Sequence, residues 1–430
     1  MAQSPPRRRG AGASSKARMS SSAQHSRFVS TPPRLSDDVN GDDPATALTP
    51  LLRRHSYRIA AELFCNERIY AVLLFVPVGL IVGAVGGVHE LAVFALNFLA
   101  MVPLALLITM VVIKLSGSAR PVLGGLLRSV LGNTVELLTG IVALFYGQHD
   151  LARRMVMGSV LSYSLLVLGG SFLCASYAKD HAVFERKQTS VMSTLVMLVS
   201  IVLVIPTIMV SARSQTIAFR DSYDDDETVL TLSRGISIIL LLLFSTYVSF
   251  RFHTHPSVFQ LATTLSARGW ESHAVADPGL LSLSLVFLAS ATCAVGCTRY
   301  LILSLDGAFR ALNMTKSFAG LILTPLLGNL GKAIVIISRS KRVPNLSDPI
   351  RGIMTNILDT LLFITPLLVL LGWIMNQPMA LDFDSFEAIV FLLAMIILTY
   401  LLEHGKTTYF EGVMLIGTYF VLIVAFCVRT

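Results

Sequence analysis

The sequence predicts an all-α membrane protein of about eleven transmembrane helices. Three observations carry that expectation. Hydrophobic residues make up 54% of the chain and charged residues 14%, against roughly 25% charged in a soluble domain. The apolar runs are about 20 residues long, the length of helix that crosses a hydrocarbon layer of roughly 30 Å. They recur to residue 428 with short polar stretches between them, a pattern that two or three soluble domains would not show.

Residues 1–60 are rich in Ser, Arg, Pro and Asp and hold no apolar run, so they read as a disordered tail. The first apolar segment lies too far in for a cleavable signal peptide to be expected. Spans then run at about 69–88, 90–113, 121–146, 151–178, 190–211, 232–252, 280–304, 316–338, 350–374, 384–402 and 409–428. The span at 121–146 is less apolar than the others because it carries Arg128, Asn133 and Glu136. A weak internal repeat supports it. GGLLRSVLGN, from Gly124 to Asn133, and AGLILTPLLGN, from Ala319 to Asn329, each place Gly-Asn deep in a span. The copies fall in the third and eighth spans, and an odd separation reverses the direction of crossing. The expected organisation is two inverted five-helix repeats, 90–252 and 280–428, around a midplane site. Residues 69–88 form an extra first helix, and 253–278 a short cytosolic linker.

The net charge is +8 and the pI near 9.4. The basic residues sit in the tail and between apolar runs, which points to membrane topology and not to nucleic acid. With the Arg-rich tail cytosolic, so are Lys114, Arg120, Lys179, Arg186, Lys187, Arg339, Lys341, Arg342 and Arg351, and the C-terminus is luminal. The five cysteines lie in or beside apolar segments and give no disulfide framework. Cys293 and Cys297 share a helix face, where small packing residues are the better reading than a metal pair. No nucleophile–base pair, Walker loop or dinucleotide fingerprint is found, so neither an enzyme nor a cofactor is expected.

The segment Gly132-Asn133-Thr134-Val135-Glu136 is the most informative. A carboxylate at a helix centre costs about 2.5–3.5 kcal/mol on insertion scales, which something must offset. Asn133 and Glu136 are three residues apart and share a helix face. Gly132 permits close backbone approach. An amide oxygen beside a carboxylate, with carbonyls exposed at a break, suits a hard cation. A glutamate hydrogen-bonded to a neighbouring helix for packing alone is the other reading. The run Asp224-Asp225-Asp226-Glu227 reads as a solvated loop, and His253 and His255 as interfacial. Asn313 and Asn345 head glycosylation sequons of low specificity.

GGLLRSVLGNTVELLTGIVAL resembles the first signature of calcium/proton exchangers, Gly-Asn-Ala-x-Glu within a Gly-rich span. GSVLSYSLLVLGG, LSRGISIILLLLFSTYVSFRFHTH, GLILTPLLGN and the stretch from ITPLLVLLGW to YFEGVML also resemble that family in order and spacing. The resemblance covers about 69–428 and is nearest the fungal vacuolar type. It implies eleven spans in two inverted sodium/calcium exchanger-like repeats in a vacuolar or other internal membrane. It further implies Ca2+ as transported cation, H+ as counter-ion, and Glu136 as the residue that exchanges them. Its implied partners are membrane lipid, the transported ions and other exchanger subunits in a homo- or hetero-oligomer.

The chain also departs from the family. The second signature here reads Gly328-Asn329-Leu330-Gly331-Lys332, so Lys332 stands where the family has glutamate. Thr298-Arg299 replaces Ser-Glu, Tyr163 replaces an asparagine, and Thr355-Asn356-Ile357-Leu358-Asp359 replaces a Gly-Ser-Ser-x-Gln stretch. A Lys⁺ about 8 Å from a divalent ion at an effective dielectric of ~20 opposes binding by roughly 4 kcal/mol. Two ways round this are open. Lys332 is neutral when buried, or Asp359 supplies the missing carboxylate. The site expected from the repeat is Glu136, Asn133, Asn329 and Asp359, with Glu136 and Asp359 as metal carboxylates and Lys332, Gly132 and Gly328 modulating them. The alternative is a transport-inactive paralogue in which Glu136 and Lys332 form a permanent ion pair.

Overall fold

A computed structural model describes residues 73–428 of the chain, apart from 86, 178, 180, 217–221, 255–278, 313 and 344. The tail at 1–60, Cys65, His255, Asn313 and nearly all of the 253–278 linker lie outside these residues, as do the side chains of Asp224, Asp225 and Asp226.

In a hydrocarbon layer every backbone N–H and C=O has to be bonded within its own segment, and the long apolar runs meet that demand as helices. In order they are α1 (Phe75–Val85), α2 (Glu90–Ser118), α3 (Pro121–Leu131), α4 (Thr134–Phe145), α5 (His149–Ser176), α6 (Arg186–Thr216), α7 (Ser222–Ser249) and α8 (Leu280–Leu303). Then come α9 (Leu305–Leu312), α10 (Lys316–Ser340), α11 (Ser347–Ile374), α12 (Ser385–Glu403) and α13 (Tyr409–Val428). Among the described residues nine helices are long and apolar enough to cross a membrane. The pair α3–α4, bent by 42°, makes a tenth if it counts as one span. The span expected at 69–88 is described as the 11-residue α1, and the short α9 was not foreseen. Many hydroxyls inside the spans bond back to their own helices: Ser171 Oγ donates to Val167 O at 2.8 Å and Ser200 Oγ to Val196 O at 2.8 Å.

The helices form a centre and a periphery. In the most apolar window of α5, 89% of residues are buried, against 22% in α13. Ile389, Leu393, Ile396, Val421 and Val424 on α12 and α13 face outward, as lipid-contacting surface does. The protein is a multi-pass membrane protein. At the centre, α5 and α11 share one build: each runs 28 residues and carries a π-helical turn in its middle, Ser162–Val167 and Thr360–Ile364. In α10 such a turn stands near the start, Ala319–Leu323. Helices α5 and α10 cross in backbone contact. A Cβ on Gly158 would lie 2.0 Å from the Leu321 carbonyl oxygen, so only glycine fits there.

Main-chain bonds tie the connections on one rim. Strand β1 (Ala182–Val183) pairs antiparallel with β2 (Lys406–Thr407), in the register Ala182 with Thr407 and Val183 with Lys406. Phe184 N donates to Gly405 O at 3.1 Å, and Leu346 N to Val183 O at 3.0 Å. Away from this ladder, the segment before α12 is fixed by Ser233 and Thr207. Leu381 N donates to Ser233 Oγ at 2.9 Å, and Phe383 N to Thr207 Oγ1 at 2.9 Å.

Candidate functional site

The break between α3 and α4 is made by two residues. Gly132 still has helical angles (φ −59°, ψ −30°), while Asn133 leaves them at φ −106°, ψ 25°. Thr134 Oγ1 takes up the Leu131 carbonyl at 2.6 Å, satisfying an acceptor that the break frees. Glu136 then lies in the first turn of α4, where the positive end of the helix dipole favours a carboxylate. It is 3% exposed. Gly328 on α10 faces it: a Cβ there would lie 2.9 Å from Glu136 Cγ, so the glycine lets the two helices meet.

The two Gly-Asn segments meet crosswise. Lys332 on α10 donates from Nζ to Asn133 Oδ1, and its Nζ lies 3.9 Å from Glu136 Oε1. Asn329, one turn before Lys332, donates from Nδ2 to Ser162 Oγ at 3.3 Å in the π-turn of α5. From α11, Thr360 Oγ1 donates to Glu136 Oε2 at 3.4 Å. The Tyr163 ring is 5.8 Å from Lys332 Nζ, and its side chain is fully buried. Four elements thus converge on one buried polar cluster.

Asp359 precedes Thr360 and is 3% exposed. Its carboxylate is within electrostatic reach of Arg251, Lys332 and Arg128, and beside Ser129. Arg251 Nη1 donates to Ser129 Oγ at 3.5 Å, which brings the end of the first half to the same place. So Glu136, Asn133 and Lys332 come together directly, Asn329 joins them through α5, and Asp359 is within electrostatic reach of Lys332. Arg299 points away: it is exposed, with its guanidinium 5.8 Å from the Tyr300 ring.

Several buried oxygens of the cluster have no hydrogen-bond partner: Glu136 Oε1, Asn329 Oδ1, Asp359 Oδ1 and Tyr163 Oη. Such groups cost free energy unless a ligand or an ion uses them. Among the described residues no group of three or more His, Cys, Asp or Glu side chains is placed to hold a metal ion. A hard cation here would have to use amide and hydroxyl oxygens beside the carboxylates. Ser162 and Thr360 were missed by the sequence reading. Their only signal is position, one beside Tyr163 and the other beside Asp359.

A broken span beside a buried polar centre, within a bundle of apolar helices, is a build that secondary transporters use. The sodium/calcium exchanger protein family matches residues 89–253 and 282–428. The vacuolar calcium ion transporter of Schizosaccharomyces pombe is 30% identical over 359 residues, covering 83% of this chain and 83% of its own. The Ca(2+)/H(+) antiporter of Aphanothece halophytica is 29% identical, covering 84% and 96%. The solved structure of native YfkE superposes with a TM-score of 0.67 at 22% identity, covering 83% of this chain and 98% of that one. The chain belongs to the sodium/calcium exchanger family, whose activity is cation exchange and not enzymatic catalysis. These relatives are named as transporters and give no support to a transport-inactive paralogue.

Proposed function

We propose that the chain exchanges Ca2+ for H+ across the vacuolar membrane by alternating access of two inverted repeats, 90–252 and 280–428. The observation that carries this reading is Glu136, a buried carboxylate at a helix break with one oxygen unpartnered. The names of the relatives supply the ions and the membrane. Asn133 and Asn329 offer amide oxygens, and Asp359 is the second carboxylate of the site. Proton and cation compete for Glu136, so no covalent step is needed.

In reconstituted proteoliposomes, an imposed proton gradient should drive Ca2+ uptake, and Glu136→Gln should abolish it. Wild-type vesicles that take up neither calcium, manganese nor sodium would overturn the reading. The basic residues of the loops support an orientation with the tail 1–60 and the linker 253–278 cytosolic and the C-terminus luminal. Glycosylation at Asn345 would reverse that orientation, in which only Asn313 falls on the luminal side.

A further inference from the structure

Lys332 holds the place a transported ion needs. Its ammonium bonds to Asn133 Oδ1 and lies 3.9 Å from Glu136 Oε1, the two groups that the helix break presents. It is not fully enclosed by them. Glu136 Oε1 lacks a hydrogen bond, because 3.9 Å is a Coulombic contact and not a bonded one. The same ammonium is within electrostatic reach of Asp359, a second buried carboxylate whose Oδ1 is unpartnered. Asp359 is also chain neighbour to Thr360, which bonds Glu136 from the other side. The lysine is therefore in Coulombic contact with Glu136 on α4 and within electrostatic reach of Asp359 on α11, a carboxylate that Arg251 and Arg128 also reach.

We propose that Lys332 is a tethered cation that the transported ion has to displace from Glu136 and Asn133, and that Asp359 is the positioning residue that receives it. The inference rests on the exchanger reading above and refines the part Asp359 plays in it. Displacement moves the lysine's charge from one carboxylate to the other without leaving it unpaired in a buried site. Glu136 and the two amide oxygens then face the ion. Apparent affinity for a divalent cation becomes the outcome of a competition within the chain, and Lys332 sets how weak it is.

The experiment measures Ca2+ binding to the full-length chain in detergent, and proton-driven Ca2+ uptake in proteoliposomes, for one set of variants. Lys332→Gln should bind Ca2+ tighter by on the order of a hundredfold, since a like charge a few ångströms away is gone. Lys332→Met should do the same and serves where the Gln variant is not monodisperse. Lys332→Arg, which keeps the charge, should gain none of that tightening. Asp359→Asn should weaken binding in the wild-type background and have little effect in the Lys332→Gln background. Equal loss in both backgrounds would make Asp359 a direct ligand and overturn its role as acceptor. Wild-type uptake with affinity unchanged in Lys332→Gln and Lys332→Met would overturn the tethered cation but leave the exchanger reading standing. Uptake absent from the wild type and present in Lys332→Gln would overturn both, because the lysine would then block the site and not yield to the ion. Uptake and binding absent from all variants would overturn both.

Discussion

The two Gly-Asn segments begin alike and fold differently. In the first, Gly132-Asn133 ends α3, and the chain turns by 42° before α4 begins. In the second, Gly328-Asn329 lies inside a helix that runs unbroken from Thr324 to Ser340. That helix takes its irregularity earlier, in the π-turn Ala319–Leu323, with Pro325 following it. The third residue onward is Glu136 in one and Lys332 in the other. A break exposes N–H groups that stabilise an anion, whereas a continuous helix interior offers none. Backbone and charge thus agree in each half, and the two halves supply opposite charges to one centre.

The largest expected effect tests whether those charges form a unit. Lys332→Ala leaves Glu136 buried without its counter-charge and should destabilise the protein by about 3–5 kcal/mol, read as thermal stability in detergent. Adding Glu136→Gln should recover most of that stability but no transport. If the two changes cost the sum of their parts, the pairing is wrong.

Next comes the contrast between the asparagines. Asn133→Ala removes an acceptor from a charged donor and should cost about 1.5–3 kcal/mol. Asn329→Ala removes a bond to a neutral hydroxyl at 3.3 Å and should cost about 0.5–1.5 kcal/mol. Equal losses in a thermal melt would erase the asymmetry between the halves. The smallest effect is the outer control. Arg186 Nη2 lies 3.5 Å from Glu403 Oε1, but the two side chains are 65% and 60% exposed. Arg186→Gln should shift stability by no more than about 1 kcal/mol and leave uptake intact.

The spans were legible because their length is set by the bilayer, which acts on every residue of a run alike. The broken span was legible through its own defect, since Arg128, Asn133 and Glu136 lowered its apolarity. Its counterpart carries the same Gly-Asn, but α10 continues through it, so the dipeptide alone does not mark a break. The π-turns left no mark in the sequence, because a single inserted residue shifts a helix face without changing composition. Partners such as Thr360 and Ser162 were hidden for another reason. They reach the cluster from α11 and α5, more than 160 residues from their partners in one case and more than 220 in the other. The pair of half-buried Arg154 with buried Glu387, at 3.2 Å, is a further example, joining residues 233 positions apart.

The small ladder between β1 and β2 belongs to both halves, one strand following α5 and the other following α12. Together with the bond from Leu346 to Val183, it stitches three connections on a single rim. Rocking of one half against the other that keeps these bonds has its fulcrum there, and its widest excursion falls on the opposite rim. Opening on the stitched rim has to part main-chain bonds or proceed through helices that do not carry them. Among the described residues the two rims are thereby unequal in build: one is pinned by main-chain bonds, and the other is tied by bonds to side chains such as Ser233 and Thr207.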